Sequence, residues 1–237
     1  MPNTYFQFKQ FIIHQDRCGM KLSTDAVILG ALACHESAKQ ILDVGTGTGA
    51  IALMLAQRYS DASIEAVELD KDAYMQATDN VGLSPWNNRV KLYHQSFQNF
   101  SAARQCGFDL VVSNPPYFPD HIKSQDQQRN LALHNDSLSF EDLINGVAHV
   151  LSPKGLFWVI LPQRQMQDLE KLAITHGLFP FTKVIVKNHP SAPILRVVAA
   201  FKATSSTPTA STLCIRDQDQ QYSAAYRELL KDFLLDF

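Results

Sequence analysis

The sequence lacks the features that mark membrane, secreted and disordered proteins. No apolar run among its 237 residues approaches the ~20 needed to span a bilayer. The N-terminus, MPNTYFQFKQFII, has neither the basic start nor the long apolar stretch of a signal peptide. The four cysteines have no CxxC pair and no regular spacing, which argues against a disulfide framework or a metal site. With 46% hydrophobic and 19% charged residues, the chain is expected to be a folded cytoplasmic protein.

A strong excess of charge is also missing, because 21 basic and 23 acidic side chains give a net charge of −2. This balance argues at first against a nucleic-acid partner. The charges are nevertheless unevenly distributed: residues 40–150 carry seven basic and thirteen acidic side chains, whereas residues 151–203 carry seven basic and two acidic ones. Two interpretations stay open, a scatter of solvated charges and a basic face contributed by the second segment. The candidates for such a face are Arg164, Lys183, Lys187, Arg196 and Lys202.

From residue 40 onward, segments typical of strands alternate with segments typical of helices. The predicted strands cover residues 40–44, 63–70, 89–94, 108–113, 156–161, 183–187 and 195–201. This alternation predicts an α/β fold with a mostly parallel sheet and helices on both faces. The last two strands are joined without room for a helix, so the last strand should be antiparallel. The expected sheet therefore has seven strands, the last of them reversed.

We expect one domain over residues 1–237. Residues 1–39 form an N-terminal extension, and residues 40–202 contain the sheet and its helices. Residues 203–237 are predicted to hold a surface loop, ATSSTPTAST, followed by a C-terminal amphipathic helix.

A glycine-rich turn, Asp43-Val-Gly45-Thr-Gly47-Thr-Gly49, follows the first predicted strand. Glycines permit a tight turn and let backbone N–H groups approach a ligand closely. An acidic residue before the glycines disfavours a pyrophosphate and suits a ligand with a positively charged amino group. Glu68, at the end of the second predicted strand, is placed to accept hydrogen bonds from ribose hydroxyls. The simpler alternative is a turn that only packs a helix on a strand.

A second motif, Ser113-Asn114-Pro115-Pro116-Tyr117, follows the fourth predicted strand. Two consecutive prolines restrict the backbone and present Asn114 in an extended, rigid conformation. Ligands of open α/β sheets bind at the carboxyl ends of the strands, which is where this motif lies. The simpler alternative is that Asn-Pro-Pro only terminates the strand.

Both motifs resemble those of the class I S-adenosylmethionine-dependent methyltransferases, which have a Rossmann-like fold. ILDVGTGTGAIALMLAQ is similar to their first motif and AVELD to their second. The resemblance implies S-adenosylmethionine as the cofactor, with the glycine turn under its methionine part and Glu68 on its ribose. Ser96 stands where the family has an acidic contact to the adenine, and Phe97 would border that ring. The implied cofactor-binding residues of these motifs are Asp43, Gly45, Gly47, Gly49, Glu68, Ser96, Phe97 and Asn114.

The NPPY tetrapeptide resembles the signature of methyltransferases that modify planar nitrogens of adenine, cytosine, guanine or glutamine. Such a nitrogen is a poor nucleophile because its lone pair is delocalised. In this interpretation the Asn114 side-chain oxygen and the Pro115 carbonyl each accept one N–H, Pro116 stiffens the segment, and Tyr117 stacks on the flat substrate. This is catalysis by orientation and needs no strong general base. His134 could border the pocket, although a packing role is the simpler interpretation.

Further segments extend the resemblance to residues 6–237 and to the bacterial valine-tRNA adenine-N6 methyltransferases. They are FKQFIIHQDRCGMKLSTDAVILGALA, SPWNNRV and IRDQDQQYSAAYRELLKDF. The resemblance implies methylation of an adenine beside the anticodon, and thus the anticodon loop of a tRNA as partner. It also implies that the N-terminal extension, residues 1–39, closes the cofactor pocket. Residues 21–25 help to do so, with Thr24 and Asp25 near the methionine end of the cofactor. We expect a monomer that needs no metal.

Three alternatives stay open. Protein glutamine methyltransferases share NPPY but carry a sizeable helical domain before the glycine motif, and the segment before Asp43 is short here. Ribosomal guanine-N2 methyltransferases often have Phe in place of Tyr117. A non-catalytic, cofactor-binding RNA module would not need the intact Asn114 and Pro115.

Overall fold

An eight-stranded sheet forms the centre of the molecule, with helices on both of its faces. The computed structural model describes residues 3–105, 107–116 and 138–237. The strands are β1 (Tyr5–Gln7), β2 (Ile12–His14), β3 (Gln40–Val44), β4 (Ser63–Glu68), β5 (Val90–His94), β6 (Phe108–Ser113), β7 (Leu151–Leu161), β8 (Phe179–Lys187), β9 (Ile194–Lys202) and β10 (Thr209–Cys214). The helices are α1 (Thr24–Leu32), α2 (Ala50–Arg58), α3 (Lys71–Gly82), α4 (Phe97–Ala102), α5 (Phe140–Val150), α6 (Gln163–Thr175) and α7 (Ala224–Leu230).

The strand order of the sheet is β10-β8-β9-β7-β6-β3-β4-β5, and β1 and β2 form a separate hairpin. All neighbouring strands of the sheet are parallel except for β9, which is antiparallel to both β7 and β8. The predicted α/β fold and the reversal of the strand at 195–201 are therefore confirmed. Because β4, β3 and β6 are adjacent and parallel, the turns that follow them open at one edge of the sheet.

The sheet has one strand more than the sequence predicts. Strand β10, assigned to a surface loop in the sequence analysis, pairs with β8 from Thr209 opposite Thr182 to Cys214 opposite Lys187. The hydrophobic pattern of the sequence does not indicate this strand, because Thr209–Thr212 are all exposed and only Leu213 is buried. An edge strand of this kind is stabilised by backbone hydrogen bonds, which leave no hydrophobic alternation in the sequence.

The C-terminal helix is shorter than predicted. Helix α7 ends at Leu230, and the chain then turns so that Leu234 forms an isolated bridge with Phe8. Tyr226, Leu230 and Phe233 are nevertheless buried in the core, as their amphipathic spacing indicates. The C-terminal residues therefore pack against the N-terminal hairpin.

Two hydrophobic cores lie on opposite faces of the sheet. The first contains side chains of α1, α2 and α3, and the second contains side chains of α4, α5 and α6. Successive residues of β3 contribute to opposite cores, Ile41 to the first and Leu42 to the second, as expected for a strand buried on both faces. None of the described helices is long and apolar enough to cross a membrane.

The packing of Gly146 against Phe97 gives a first testable prediction. A Cβ atom at Gly146 of α5 would clash with Cε1 of Phe97, whose ring is buried in the second core. Alanine has a higher helix propensity than glycine. We nevertheless expect Gly146→Ala to lower the free energy of unfolding by about 1–3 kcal/mol, because the Phe97 ring cannot move without repacking the core. Denaturant unfolding measures this change.

The matched control is Gly82→Ala at the end of α3, where a Cβ atom would meet nothing within 4 Å. This variant should be at least as stable as the unsubstituted chain. Equal stability of Gly146→Ala and Gly82→Ala would contradict the packing.

Candidate functional site

A cavity of about 680 Å³ opens at the carboxyl edge of the sheet. Its wall includes the ends of β3, β4 and β6 at Val44, Glu68 and Ser113, and the turn after β5. The volume lies within the range of small-molecule and cofactor sites.

The glycine turn forms one side of this cavity. Gly45, Gly47 and Gly49 have φ angles of +70°, +58° and +83°, which glycine adopts without strain. The N–H groups of Gly45 and Thr46 donate to the Val67 carbonyl at 2.9 and 3.2 Å, so the turn leans onto the end of β4. Gly45 and Gly47 line the cavity, and a Cβ atom at either would meet nothing within 4 Å. The missing side chains therefore leave open space for a ligand against the backbone.

Gly49, unlike Gly45 and Gly47, lies at the start of a helix. It caps α2 and is not among the described residues that line the cavity. A Cβ atom there would lie 3.5 Å from the Cβ atom of Ala77 on α3, so Gly49 lets α2 begin close to α3.

Glu68 joins the glycine turn to the end of β4. One carboxylate oxygen, Oε2, accepts a hydrogen bond from the Gly47 N–H at 2.8 Å. The other, Oε1, accepts from the N–H groups of Leu69 and Asp70 at 2.8 and 2.9 Å. Glu68 also lines the cavity. Because two carboxylate oxygens offer about four acceptor positions, these three bonds leave capacity for a ligand hydroxyl.

Asp43 lies beneath the turn, fully buried, rather than in the described cavity wall. Its Oδ2 atom accepts a hydrogen bond from the Thr46 hydroxyl at 2.6 Å, and its Oδ1 atom has no hydrogen-bond partner among the described residues. Burial raises the pKa of Asp43 to about 7, against the opposing effects of the Thr46 bond and of the Ala52 N–H. The nearby Glu68 raises the pKa further.

The Asn-Pro-Pro segment forms another part of the cavity wall. The Ser113 hydroxyl donates to the Val44 carbonyl at 2.9 Å and ties the end of β6 to the end of β3. Asn114, Pro115 and Pro116 then line the cavity, Asn114 half-buried and Pro115 buried. The Asn114 side chain makes no hydrogen bond within the described part of the chain, so its amide is available to a ligand there. Two other predicted site residues, Tyr117 and His134, lie outside the described residues.

Ser96 and Phe97 lie where β5 leads into α4, and both line the cavity. The Ser96 hydroxyl accepts a hydrogen bond from the Asn99 N–H at 3.2 Å, so it caps α4. Phe97 is only 4% exposed and packs within the second core. Ser96 thus caps a helix, a role that the family comparison did not indicate when it placed Ser96 at the position of an acidic residue.

The N-terminal extension, which the family resemblance implied would close the cofactor pocket, contributes residues to the cavity wall. Cys18, Gly19 and Met20 line the cavity, and Met20 is 73% exposed. These three residues belong to the segment that carries the family resemblance, although the resemblance placed the contact with the pocket at residues 21–25.

Thr24 and Asp25, expected near the methionine end of the cofactor pocket, are not among the described residues of the cavity wall. Both begin α1, and the Asp25 carboxylate forms a 2.6 Å ion pair with Arg196 of β9. The physical reason is that α1 starts beyond the segment that reaches the cavity, so the Asp25 side chain meets Arg196 of β9 instead.

Two of the five cations predicted to share one basic face are divided by the sheet. Lys183 is paired with Glu170 of α6 at 2.7 Å, on the face of the second core, whereas Arg196 is paired with Asp25 of α1, on the face of the first. Lys202 lies opposite Phe179, at the far end of β8 from Lys187. Because side chains alternate between the faces of a strand, Lys183 and Arg196 lie on opposite faces of the sheet. A face shared by Arg164, Lys183, Lys187, Arg196 and Lys202 stays a prediction.

The groups around the cavity suit a ligand that combines a cationic part, hydroxyl groups and an apolar ring. Glu68 supplies a carboxylate, and the apolar wall includes Val67, Leu69 and Phe97. A ligand such as S-adenosylmethionine has these three parts. The described residues hold no cluster of three or more His, Cys, Asp or Glu side chains that could bind a metal.

Comparison with known proteins agrees with this chemistry. Residues 23–189 match the model of the methyltransferase small domain family. A protein of Bacteroides fragilis named tRNA1(Val) (adenine(37)-N6)-methyltransferase is 42% identical over 99% of this chain and 99% of its own length. A protein of the same name from Pseudoalteromonas translucida is 41% identical over 97% of this chain and 98% of its own length.

Solved structures share the fold at low sequence identity. A predicted O-methyltransferase from Agrobacterium tumefaciens is 17% identical and has a TM-score of 0.66, covering 88% of this chain and 96% of its own. Pyrococcus horikoshii TYW2, solved in complex with MeSAdo, is 13% identical with a TM-score of 0.57, covering 84% of this chain and 71% of its own. These likenesses concern the fold alone.

The buried Asp43 gives a second testable prediction. Its pKa is about 7 in the folded protein against 3.8 for the free side chain, so the folded state holds its proton more tightly. The stabilising contribution is therefore present below about pH 4 and is lost as the pH rises towards 7. Relative to the unsubstituted chain, Asp43→Asn should gain more than about 1.4 kcal/mol of unfolding free energy between pH 5 and pH 8. Urea denaturation of both proteins at the two pH values measures this difference, and parallel pH profiles would contradict it.

Proposed function

The chain belongs to the methyltransferase small domain family, and on this basis we propose that it methylates the N6 amino group of adenine 37 in tRNA1(Val), using S-adenosylmethionine. The name shared by relatives over almost the whole chain supports this substrate. A tRNA substrate implies a cytoplasmic enzyme, and we retain the prediction that it acts as a monomer.

One structural observation carries the proposal: Asn114 and Pro115 line the same cavity as Gly45, Gly47 and Glu68. A methyl transfer requires donor and acceptor to meet in one enclosed space, in line with the bond that breaks. The glycine turn and the Asn-Pro-Pro segment meet this requirement because β3 and β6 are neighbouring parallel strands.

S-adenosylmethionine, when bound, supplies an electrophilic methyl group on a positively charged sulfur. In our proposal the open side of the glycine turn holds the methionine part, and Glu68 accepts hydrogen bonds from the ribose. Asp43 supports the glycine turn from below by accepting a hydrogen bond from the Thr46 hydroxyl. Ser96 and Phe97 border the adenine, with Phe97 as its apolar floor.

Asn114 and Pro115 orient the amine in this proposal. The Asn114 side-chain oxygen and the Pro115 carbonyl each accept one N–H of the target amine, so that the lone pair points at the methyl group. Pro115 is buried, and Ser113, which precedes Asn114, is tied to β3 by the bond from its hydroxyl to the Val44 carbonyl. Both acceptors are therefore held on a rigid segment. The cationic donor becomes neutral as the methyl group leaves, so no strong base is required. Tyr117, beyond the described residues, keeps its predicted stacking role.

The tRNA backbone requires cations close to the cavity. Lys187 at the end of β8 and Arg164 in the first turn of α6 lie at the carboxyl edge of the sheet, where Asn114 also lies. We propose these two as phosphate contacts. Lys183 forms an ion pair with Glu170, and Lys202 lies towards the amino edge of the sheet, so neither is proposed as a phosphate contact.

A pair of substitutions separates orientation of the amine from binding of the cofactor. Asn114→Ala should lower kcat by about 100-fold or more, since a misplaced amine cannot align, while cofactor affinity changes little. Glu68→Gln should weaken cofactor binding by about tenfold or more, because an amide has one acceptor oxygen and its NH2 group would face an N–H of Gly47 or Leu69. Calorimetry and single-turnover methyl transfer measure the two effects.

The two variants act as controls for each other, because each should preserve what the other loses. Normal turnover by Asn114→Ala on tRNA would remove Asn114 from catalysis. Methyl label found in a protein glutamine or in guanine would instead favour the glutamine or guanine-N2 alternative.

The proposed phosphate contacts predict a change in salt dependence. The double variant Arg164→Ala, Lys187→Ala should bind tRNA more weakly, and its plot of log affinity against log salt concentration should be shallower by about one unit for each lost contact. The control, Lys171→Ala with Lys202→Ala, removes the same charge from positions away from the carboxyl edge. Equal salt slopes for the two double variants would contradict the assignment.

A further inference from the structure

Two buried amide side chains on α3 hold the N-terminal extension against the glycine turn. Asn80 is 1% exposed and Gln76 is 2% exposed, and the two are four residues apart on the helix. Residues at this spacing share one face of a helix. Buried amides are costly unless they are hydrogen-bonded, so the partners of these side chains indicate what they do.

Asn80 makes three hydrogen bonds to backbone groups of two separate segments. Its Oδ1 atom accepts from the His14 N–H at 2.9 Å, and its Nδ2 atom donates to the His14 carbonyl at 2.9 Å. The Nδ2 atom also donates to the Thr48 carbonyl at 2.9 Å. Thr48 belongs to the glycine turn, whereas His14 ends the hairpin strand β2. One side chain thus fixes the position of the turn relative to the N-terminal extension.

The segment after His14 forms a loop at the cavity, which we call the cover loop (residues 16–21). Gln76 Oε1 accepts from the Arg17 N–H at 3.0 Å, near the start of this loop. The buried Gln15 closes its base, because Gln15 Oε1 accepts from the Leu22 N–H at 2.9 Å. These amide side chains and the 2.7 Å ion pair between Arg17 and Asp79 therefore hold the cover loop in place.

The cover loop presents Cys18, Gly19 and Met20 to the cavity. Met20 is a flexible apolar side chain that is 73% exposed, so a ligand in the cavity would gain apolar contact with it. The other wall at this point is the glycine turn, with Gly45 and Gly47. The space between loop and turn depends on the Asn80 bonds to His14 and Thr48.

We propose that Asn80 is a positioning residue for cofactor binding, which holds the cover loop and the glycine turn at the separation that S-adenosylmethionine requires. This inference rests on the proposed methyltransferase function. Asn80 does not itself line the cavity, so it acts through the two backbone segments that it joins. Cofactor affinity should depend on it, while the affinity for tRNA should not.

The experiment uses the full chain with Asn80→Ala and Asn80→Asp. The second variant keeps the shape and the acceptor for the His14 N–H, but it places an oxygen against the His14 and Thr48 carbonyls. We expect both variants to raise the Kd and KM for S-adenosylmethionine by about tenfold or more, because they lose two or three hydrogen bonds. The KM for tRNA should stay within about twofold.

Two controls separate positioning from general loss of stability. Val81→Ala removes a buried side chain from the same helix but none of the bonds to His14 or Thr48. Asn87→Ala makes the same substitution as Asn80→Ala at an exposed position just beyond α3. Both controls should keep the cofactor KM of the unsubstituted chain.

The outcomes distinguish this inference from the proposed function. Folded Asn80 variants with unchanged cofactor Kd, or a Val81→Ala variant with an equally raised Kd, would overturn the positioning role and leave the methyltransferase assignment intact. No binding of S-adenosylmethionine to the unsubstituted chain would overturn both.

Discussion

The site depends above all on the carboxylate of Glu68, which joins three backbone N–H groups from two segments. It holds Gly47 of the turn after β3 and the first two residues after β4, Leu69 and Asp70. The glycines that leave room for a ligand also make the turn flexible, and glycine loses the most conformational freedom on folding. A charged acceptor between two parallel strands offsets this cost and keeps the turn in one conformation. Asp43 below and Asn80 beside the turn support it from two further directions.

Strand order then determines which chemistry is possible. Strand β3 lies between β4 and β6, so Glu68 and Asn114 follow strands on either side of the glycine turn. Cofactor and substrate would therefore meet above the end of β3. The bond from the Ser113 hydroxyl to the Val44 carbonyl holds the end of β6 against the end of β3. Orientation of a weak nucleophile is the main task in our proposal, and a rigid Asn-Pro-Pro segment on a buried strand suits it.

Much of this arrangement could be predicted from the sequence, because local patterns carry it. Hydrophobic runs predicted the strands from β3 to β9 and the reversal of β9, and the motifs predicted that Gly45, Gly47, Glu68 and Asn114 lie at one edge. Strand β10 was missed since its side chains are exposed. The charge count along the chain also gave no indication that strand alternation places Lys183 and Arg196 on opposite faces of the sheet. A contribution of the N-terminal extension to the pocket was implied by the family resemblance alone, whereas Asn80 could not be predicted, since contacts between residues 66 apart in the chain leave no local pattern.

The central claim is that this chain transfers a methyl group to the N6 atom of an adenine in tRNA. The most direct test is mass spectrometry of nucleosides from tRNA that lacks the modification, after incubation with the purified protein and isotope-labelled S-adenosylmethionine. We predict labelled N6-methyladenosine, at one residue per molecule beside the anticodon of tRNA1(Val). Label confined to another nucleoside or to protein, or no label at all with active cofactor, would contradict the account.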